Sequence, residues 1–407
     1  MSIWGAFTNS SSAMMAQSTA MGSISQNVAN VNTTGYKKQD TAFHTMLSES
    51  TAKFNFFGVD ASQVTRVDVG GPVISTGMWA DLSVNGKGMF VVNSEIDGSG
   101  DTLFTRSGDF REQALDANGD GASETYLVDD NGYFLMGWQV DPDGGIATPD
   151  DITSLQALRF EKAAQLEGTP TTRIAMTGNV PSEASRAEPM HLPCYDTAGN
   201  VRTLTLEWQP TGVQNQWTVT PMVSDGTVSN QPLTVIFGAD GSFVSPDDAT
   251  DVGITWGDGT TSTIALDLSG LEQLSGGMQV DSIDGDGNEA AWMMNARFDS
   301  GGVLSANYAN GESLSLYQVA LADFTNLNGL EEMTGNAFAS TAQAGTMSLF
   351  SATSSGKAAI IAGTLEASNV DLADEFTRMI TTQKAYSMNA TVFKTTDEMT
   401  RAAGELK

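Results

Sequence analysis

The sequence predicts an α+β chain: long N- and C-terminal α-helices paired as a coiled-coil-like stem, carrying two mainly antiparallel β domains in series. Three observations predict it. Apolar residues recur in steps of three, four and seven at both ends, the period of one helix face. Between the ends the period falls to two, in short runs separated by Gly- and Asn-containing turns. Those runs form two successive blocks, the second rich in Asp and poor in Lys.

The first helix has its seam at Ile3, Phe7, Met14, Met21, Ile24, Val28 and Val31, with Ser10 and Gln17 in the gaps. No side chain from Met1 to Tyr36 is charged. Its end is expected near Asn32-Thr33-Thr34-Gly35, where glycine can take the left-handed conformation that closes a helix. The last helix carries Leu372, Phe376, Met379, Tyr386, Ala390 and Phe393, with Gln383 filling a gap. Ser368 is expected as N-cap with Asp371 three residues on. Asp374 and Glu375 precede Arg378, Lys384 and Lys394, the order that suits the helix dipole. So narrow a stripe buries little, and helices draw most of their stability from tertiary contact. Two arrangements satisfy that need: an intramolecular helical hairpin, or packing among helices of other copies. The uncharged surface of the first helix favours the second, because a helix facing water usually carries charge.

Residues 1–36 with 365–407 are expected to form a terminal helical assembly domain, and 37–71 an irregular connector anchored by Phe43, Phe54, Phe56 and Phe57. A first β domain is expected over 72–147 with 285–364, and an outer inserted β domain over 148–284. In the first, Trp79, Leu82, Val84 and Phe90–Val92 flank the turn Asn85-Gly86-Lys87-Gly88. Further turns are marked at Ser107-Gly108, Asn118-Gly119, Asn131-Gly132 and Asp143-Gly144. In the second, Leu204, Leu206 and Trp208 alternate, as do Trp217 and Val219, Leu233, Val235 and Phe237, and Ile264, Leu266 and Leu268. Turns fall at Asp240-Gly241 and Asp258-Gly259. Asn310-Gly311 marks a hairpin after Trp292, and a Gly- and Ser-rich stretch, 345–363, leads to the last helix.

A chain of 407 residues is long enough for two or three domains. Nineteen basic against 49 acidic residues leave a formal charge of −30. That balance excludes a nucleic-acid binder, which needs cations to displace counterions, and disfavours an anionic membrane surface. It suits solubility, and acidic outer faces keep crowded copies from sticking. The lone Cys194 excludes an intramolecular disulfide, and two histidines, His44 and His191, give little material for a metal site or catalytic triad. No cleaved signal peptide and no transmembrane span is expected.

Two acidic turns resemble parts of calcium loops. Asp116-Ala-Asn118-Gly-Asp120-Gly121 opens like an EF-hand, but its twelfth position is Leu127 where a bidentate glutamate is needed. Asp284-Gly-Asp286-Gly-Asn288-Glu289 has no closing ligand. Both fit solvated turns better. No phosphate loop or nucleophile elbow occurs, and Met14, Met15 and Met21 suit helix packing. No catalytic residue, metal or cofactor is expected, and the chain is expected not to be an enzyme.

The run Ile24-Ser-Gln-Asn27-Val-Ala29-Asn30-Val-Asn32-Thr-Thr34-Gly35-Tyr36-Lys37 resembles the N-terminal signature of the flagellar rod and hook proteins. Thr76-Gly77-Met-Trp-Ala-Asp81-Leu82-Ser-Val84-Asn-Gly86-Lys-Gly88-Met-Phe90-Val91-Val92 is similar to their next element, and Phe104-Thr-Arg106-Ser-Gly108-Asp-Phe110 to the one after. Ser368-Asn-Val-Asp371-Leu372, Glu375-Phe376-Thr-Arg-Met379-Ile380 and Gln383-Lys-Ala-Tyr386 resemble their C-terminal helix. The likeness covers about 1–145 and 300–407, with Met89 in place of the usual Phe and an atypical Met78-Trp79. It implies a structural subunit of the hook that polymerises into a curved hollow tube, a universal joint between rod and filament. It implies export through the type III flagellar apparatus and a place on the cell surface attached to the basal body. The implied partners are other copies of the chain, rod proteins, the hook cap and the hook–filament junction proteins. An insert of more than a hundred residues favours the hook over the distal rod protein, which is the alternative within the family. A secreted calcium-binding adhesin is the alternative outside it.

Overall fold

The computed structural model describes residues 3–48, 56–116, 124–141, 145–146, 151–161, 164–183, 186–229, 232–352 and 356–405. Two long helices and a mostly β body make up the chain, which divides into two compact units. Residues 1–162, 296–306 and 314–407 form the first, and 163–295 with 307–313 the second. Residues 151–161, expected in the outer block, fall in the first unit.

In the first unit, helix α1 (Ile3–Ala29) runs for 27 residues, about 40 Å, and α2 (Leu372–Glu405) for 34. The helix α1 stops at Ala29, short of the expected Gly35. Beyond it lie Val31, Asn32, Thr33 and Thr34, all weak helix formers, and the chain must turn so that Gln39 can bond the side chain of Asn27. The start of α2 also differs from expectation. Asp371 is the cap, its carboxylate accepting the amides of Ala373 (2.8 Å) and Asp374 (3.3 Å). Ser368 accepts from Val370, one turn too early.

Where the expectation was an irregular connector, its described residues form a two-stranded ribbon, β1 (Gln39–Ser48) with β2 (Phe56–Thr65), in unbroken antiparallel register from Gln39↔Thr65 to Ser48↔Phe56. An isolated two-stranded ribbon is marginal in water. This one lies on α1, with Thr41 and Gln63 bonded to the Ser23 hydroxyl at 3.1 Å. Phe43 is half-exposed rather than an anchor; Phe54 and the side chains of Phe56 and Phe57 lie outside the described residues.

Antiparallel strands build the rest of the unit. Met89–Asn93 pairs with Thr102–Thr105 and Phe134–Gln139, and Leu321–Phe324 with Met347–Phe350. The core holds Met89, Val91, Phe104, Trp138, Ala320 and Phe338, with Phe104 and Phe324 edge-to-face at 4.8 Å. The turn at 85–88 does not join partners. Leu82–Gly86 pairs instead with Ala358–Ala362, because Gly86 and Gly88, at φ +117° and +119°, carry the chain across rather than back. That partner strand and Met347–Phe350 both lie in the Gly- and Ser-rich stretch that was expected to be only a lead-in.

The second unit is a β-sandwich. One sheet runs Glu188–Tyr195, Val201–Pro210, Gln216–Val223, Leu233–Phe237 and Phe243–Ser245, all antiparallel. The facing sheet centres on Thr261–Leu274, which pairs antiparallel with Thr250–Trp256 and parallel with Arg173–Pro181. Alternate residues of both sheets close one core around Leu204, Leu206, Trp208, Trp217, Ile264 and Leu266. The turns at Asp240-Gly241 and Asp258-Gly259 connect adjacent strands, as the alternation expects; those at Asn118 and Asp143 lie outside the described residues.

Candidate assembly site

The signature residues meet the start of α2 and the first β layer in one polar knot. Asn27, on the last turns of α1, uses its whole amide. Its Oδ1 accepts the Gln39 amide (2.8 Å) and the Tyr36 hydroxyl (3.2 Å). Its Nδ2 donates to the Gln39 carbonyl (2.9 Å) and to Glu375 (3.2 Å). Glu375 is fully buried on α2, and Lys38 Nζ lies 2.7 Å from its other oxygen and 2.9 Å from Asp374. Arg378 adds a pair from α2 to Asp40 of β1 at 2.7 Å. One side-chain amide thus ties α1, β1 and α2 together.

A second knot lies beside it. Glu366 accepts from the Lys37 ammonium, from Arg106 (3.1 Å) and from the Gly71 amide (2.8 Å), all three side chains being buried. Arg106 also donates to the carbonyls of Val84 (3.1 Å) and Gly86 (2.8 Å). Lys37 and Asn369 share the Val69 carbonyl. Gly35 sits between the knots at φ +69°, and a Cβ there would meet the Ser107 nitrogen at 2.5 Å, so the glycine is required.

Burial shapes the protonation of these groups. Desolvation, with Glu332 nearby, pushes the Tyr36 hydroxyl up to about 12. Desolvation pulls the Lys37 ammonium below its ordinary value, only partly offset by Glu366. For Lys38 the pull of burial is outweighed by Glu375 and Asp374, which hold it above its ordinary value. Lys38 in turn keeps the Asp374 carboxyl below its usual range.

Of the remaining signature residues, Asn30 bonds the Gln26 carbonyl (3.0 Å) and accepts from Thr33 (3.2 Å), Thr34 offers its carbonyl to Asn336 (3.0 Å), and Ala29 is exposed. On the α1 seam Ile24 is buried, while Phe7, Met14, Met21, Val28 and Val31 are half-buried. The side chain of Ile3 lies outside the described residues. The face of α1 fully covered within one chain is Ser10, Ala16, Ala20, Ser23, Ile24 and Asn27. Phe7 stacks on Phe393 of α2 with centroids 4.2 Å apart. On α2 the residues Met379, Ala390 and Phe393 are half-buried, but Leu372, Phe376 and Tyr386 face solvent.

Lys38 and Glu366 carry no expectation from the sequence; Lys37 and Arg106 enter only as members of the resembling elements, and Glu375 only there and through the helix dipole. Two adjacent lysines ending a 36-residue uncharged run, with a carboxylate one turn into α2, were the available signal. Asp286, in the second acidic turn, spends its carboxylate on the amides of Thr172 (2.8 Å) and Arg173 (2.9 Å). The first acidic turn lies largely outside the described residues. No cluster of three metal-ligating side chains occurs among the described residues, and no helix there is long and apolar enough to cross a membrane.

Residues 7–37 match the family model described as flagella basal body rod protein. Residues 165–288 match the flagellar basal body protein FlaE D2 domain, and 361–406 the flagellar basal body rod FlgEFG protein C-terminal. The chain is 30% identical over 430 aligned residues to flagellar hook protein FlgE of Rhizobium meliloti (strain 1021), spanning 100% of both. It is 28% identical to that of Brucella suis biovar 1, again over 100% of both, and 26% to that of Escherichia coli K12 over 97% of this chain and 98% of the relative. In fold it resembles the crystal structure of Helicobacter pylori flagellar hook protein FlgE2, with a TM-score of 0.53 at 14% identity over 70% of this chain and 98% of that one. With Asn27, Gly35, Tyr36 and the capped α2 assembled on one β layer, and with relatives matched from end to end, the chain belongs to the flagellar hook protein family.

Proposed function

We propose that the chain is the repeating subunit of the flagellar hook, a structural protein whose terminal helices pair as a coiled-coil-like stem and polymerise into the inner layer of a curved tube. The observation that carries it is the state of α2. Of its 34 residues only Glu375, Thr382 and Thr396 are buried, while Leu372, Phe376, Ile380, Tyr386, Met388, Val392 and Met399 are exposed. A single soluble domain rarely leaves so many apolar side chains open on one helix, here on two of its sides, and burying each such side chain is worth about 1.5–3 kcal/mol. Helices of neighbouring copies supply the missing cover. Cavities of about 360 Å³, beside Ser23, Thr41 and Thr382, and 190 Å³, beside Trp4 and Phe7, leave room at the stem as well.

On this reading the seams named from the sequence are assembly surfaces, and the two knots orient the stem on the β layer. The hairpin over 37–71 links the stem to the first β domain, and the second lies outermost. The subunit is exported by the type III flagellar apparatus. It sits on the rod outside the cell, grows under a cap protein and ends at the junction proteins. Electron microscopy of basal bodies from a deletion strain tests the proposal. Complete rods lacking hooks are expected. Normal curved hooks overturn it, and loss of the distal rod itself transfers the chain to the rod.

A further inference from the structure

The second unit is anionic almost throughout, with one side poor in charge. Residues 163–295 contain 17 carboxylates, three arginines and no lysine. Each arginine is already paired: Arg173 with Asp267 (2.9 Å), Arg186 with Glu188 (3.1 Å), and Arg202 with Asp196 (2.9 Å) and Asp258 (2.7 Å). On the sheet built on Thr261–Leu274, the outward residues include Asp251, Asp267 and Glu272, beside the exposed edge strand Gln279–Gly285 with Asp281 and Asp284. The outward face of the other sheet differs. Register and burial place Thr203, Thr205, Thr218, Thr220 and Thr234 there, with Glu207 the one carboxylate among its described residues. Thr205 bonds His191 at 3.1 Å, and Met222 stands directly opposite it in the register.

Rows of threonine on a flat sheet suit β structure, so the composition alone needs no partner. The charge does. Units this acidic repel one another at close range wherever carboxylates meet, and the cores of protein interfaces are depleted of charge. Depletion confined to one face of an otherwise anionic unit marks the face that copies can bring together. We propose that the threonine face, 203–220 with Thr234, is the surface on which the second unit of a neighbouring copy packs in the polymer. The proposal rests on the hook-subunit reading.

The chemistry also sets the character of the contact. Four strands at about 4.8 Å spacing and eight residues at about 3.3 Å give a face of roughly 500 Å², below the about 800 Å² per partner of a stable standard-sized interface. It holds only when the stem already keeps copies side by side. Hydroxyls accept and donate, exchange with water easily, and present no ion pair that must break, so a neighbour can shift by a residue pair without losing its partners.

A photo-crosslinking residue placed at Thr220 of the full-length chain tests this. Ultraviolet irradiation of tubes sheared from the bacterium that encodes the chain is expected to give crosslinked dimers, mapping by mass spectrometry to residues 163–295 of a second copy. Free monomer should give none. Tubes that form but yield no dimer overturn the inference and leave the hook reading standing, as does a crosslink to another part of the chain or to another protein. Absence of tubes from the unmodified chain sinks the hook reading itself. An independent arm uses Thr205→Asp/Thr220→Asp, whose monomer is expected to melt like the parent. Its tubes should be shorter at low salt and regain length at 0.5 M salt, where the screening length falls well below 10 Å. Parental tube length at low salt counts against the face.

Discussion

Glu366 is the residue on which the first unit's buried charge turns. It answers two cations, Lys37 and Arg106, and removing its charge leaves both buried without a counter-ion. Breaking a buried pair in this way costs about 3–5 kcal/mol, so Glu366→Gln is expected to lower unfolding stability by that order in urea melts. Lys37→Met is expected to cost clearly less, because Glu366 keeps Arg106 and the Gly71 amide and burial already works against the Lys37 charge. Equal losses for the two variants would contradict this ordering. None of it was legible from periodicity. Lys37 stands next to a turn and Glu366 in a short strand, and the two come within bonding distance only because the N- and C-terminal arms meet across 329 residues.

Helix α2 shows how an element's function diverges from its single-chain packing. Phe376 is 51% exposed and Ile24 5%, although both lie on seams drawn from the same heptad logic. Phe376→Asp therefore places its charge in water in the monomer and should leave the melting curve unchanged while abolishing polymerisation, as read by sedimentation. Ile24→Asp places a carboxylate at a buried position beside β1 and α2 and should loosen that packing in the monomer, visible as lost hydrogen-exchange protection in 39–48. If Phe376→Asp polymerises normally, the exposed stripe is not an assembly surface. Acid and base act on the joint between α2 and β1. Asp374 has a folded value below its ordinary 3.8, so its contribution is present above that value and fades as pH falls through the folded one. Lys38 and Tyr36 have raised values, so theirs are complete below about pH 10; that of Lys38 is lost as pH rises through its folded value, and that of Tyr36 as pH rises towards 12. Exchange protection of the first turn of α2 should accordingly be flat between about pH 4 and 10 and fall on both sides; steady protection to pH 12 would show that the knot does not hold the helix. The helices themselves were legible because their apolar period is long. Their ends were not: a side-chain bond from Asn27 to Gln39 stops α1, and either Ser368 or Asp371 could have capped α2 on composition alone.

At the scale of the molecule, the alternation of Leu204, Leu206 and Trp208 with polar neighbours made the second unit's β character plain, and the turns at Asp240 and Asp258 set its hairpins. Its limits were less visible, because residues 151–161 carry apolar residues much as the unit does yet group with the first, and because the parallel pairing of Arg173–Pro181 with Thr261–Leu274 joins segments far apart in sequence. Each unit closes its own core: Leu206, Trp208 and Ile264 in one, Val91, Phe104 and Trp138 in the other, with no residue common to both. Separate cores unfold as separate cooperative events unless something couples them. Calorimetry of the full chain is therefore expected to show two transitions. Leu206→Ala removes a fully buried side chain from the second core at a cost of about 2–5 kcal/mol, which should shift one transition down by several degrees and leave the other in place. Phe104→Ala should do the reverse. A single transition that moves with either substitution would mean that the two cores stand or fall together.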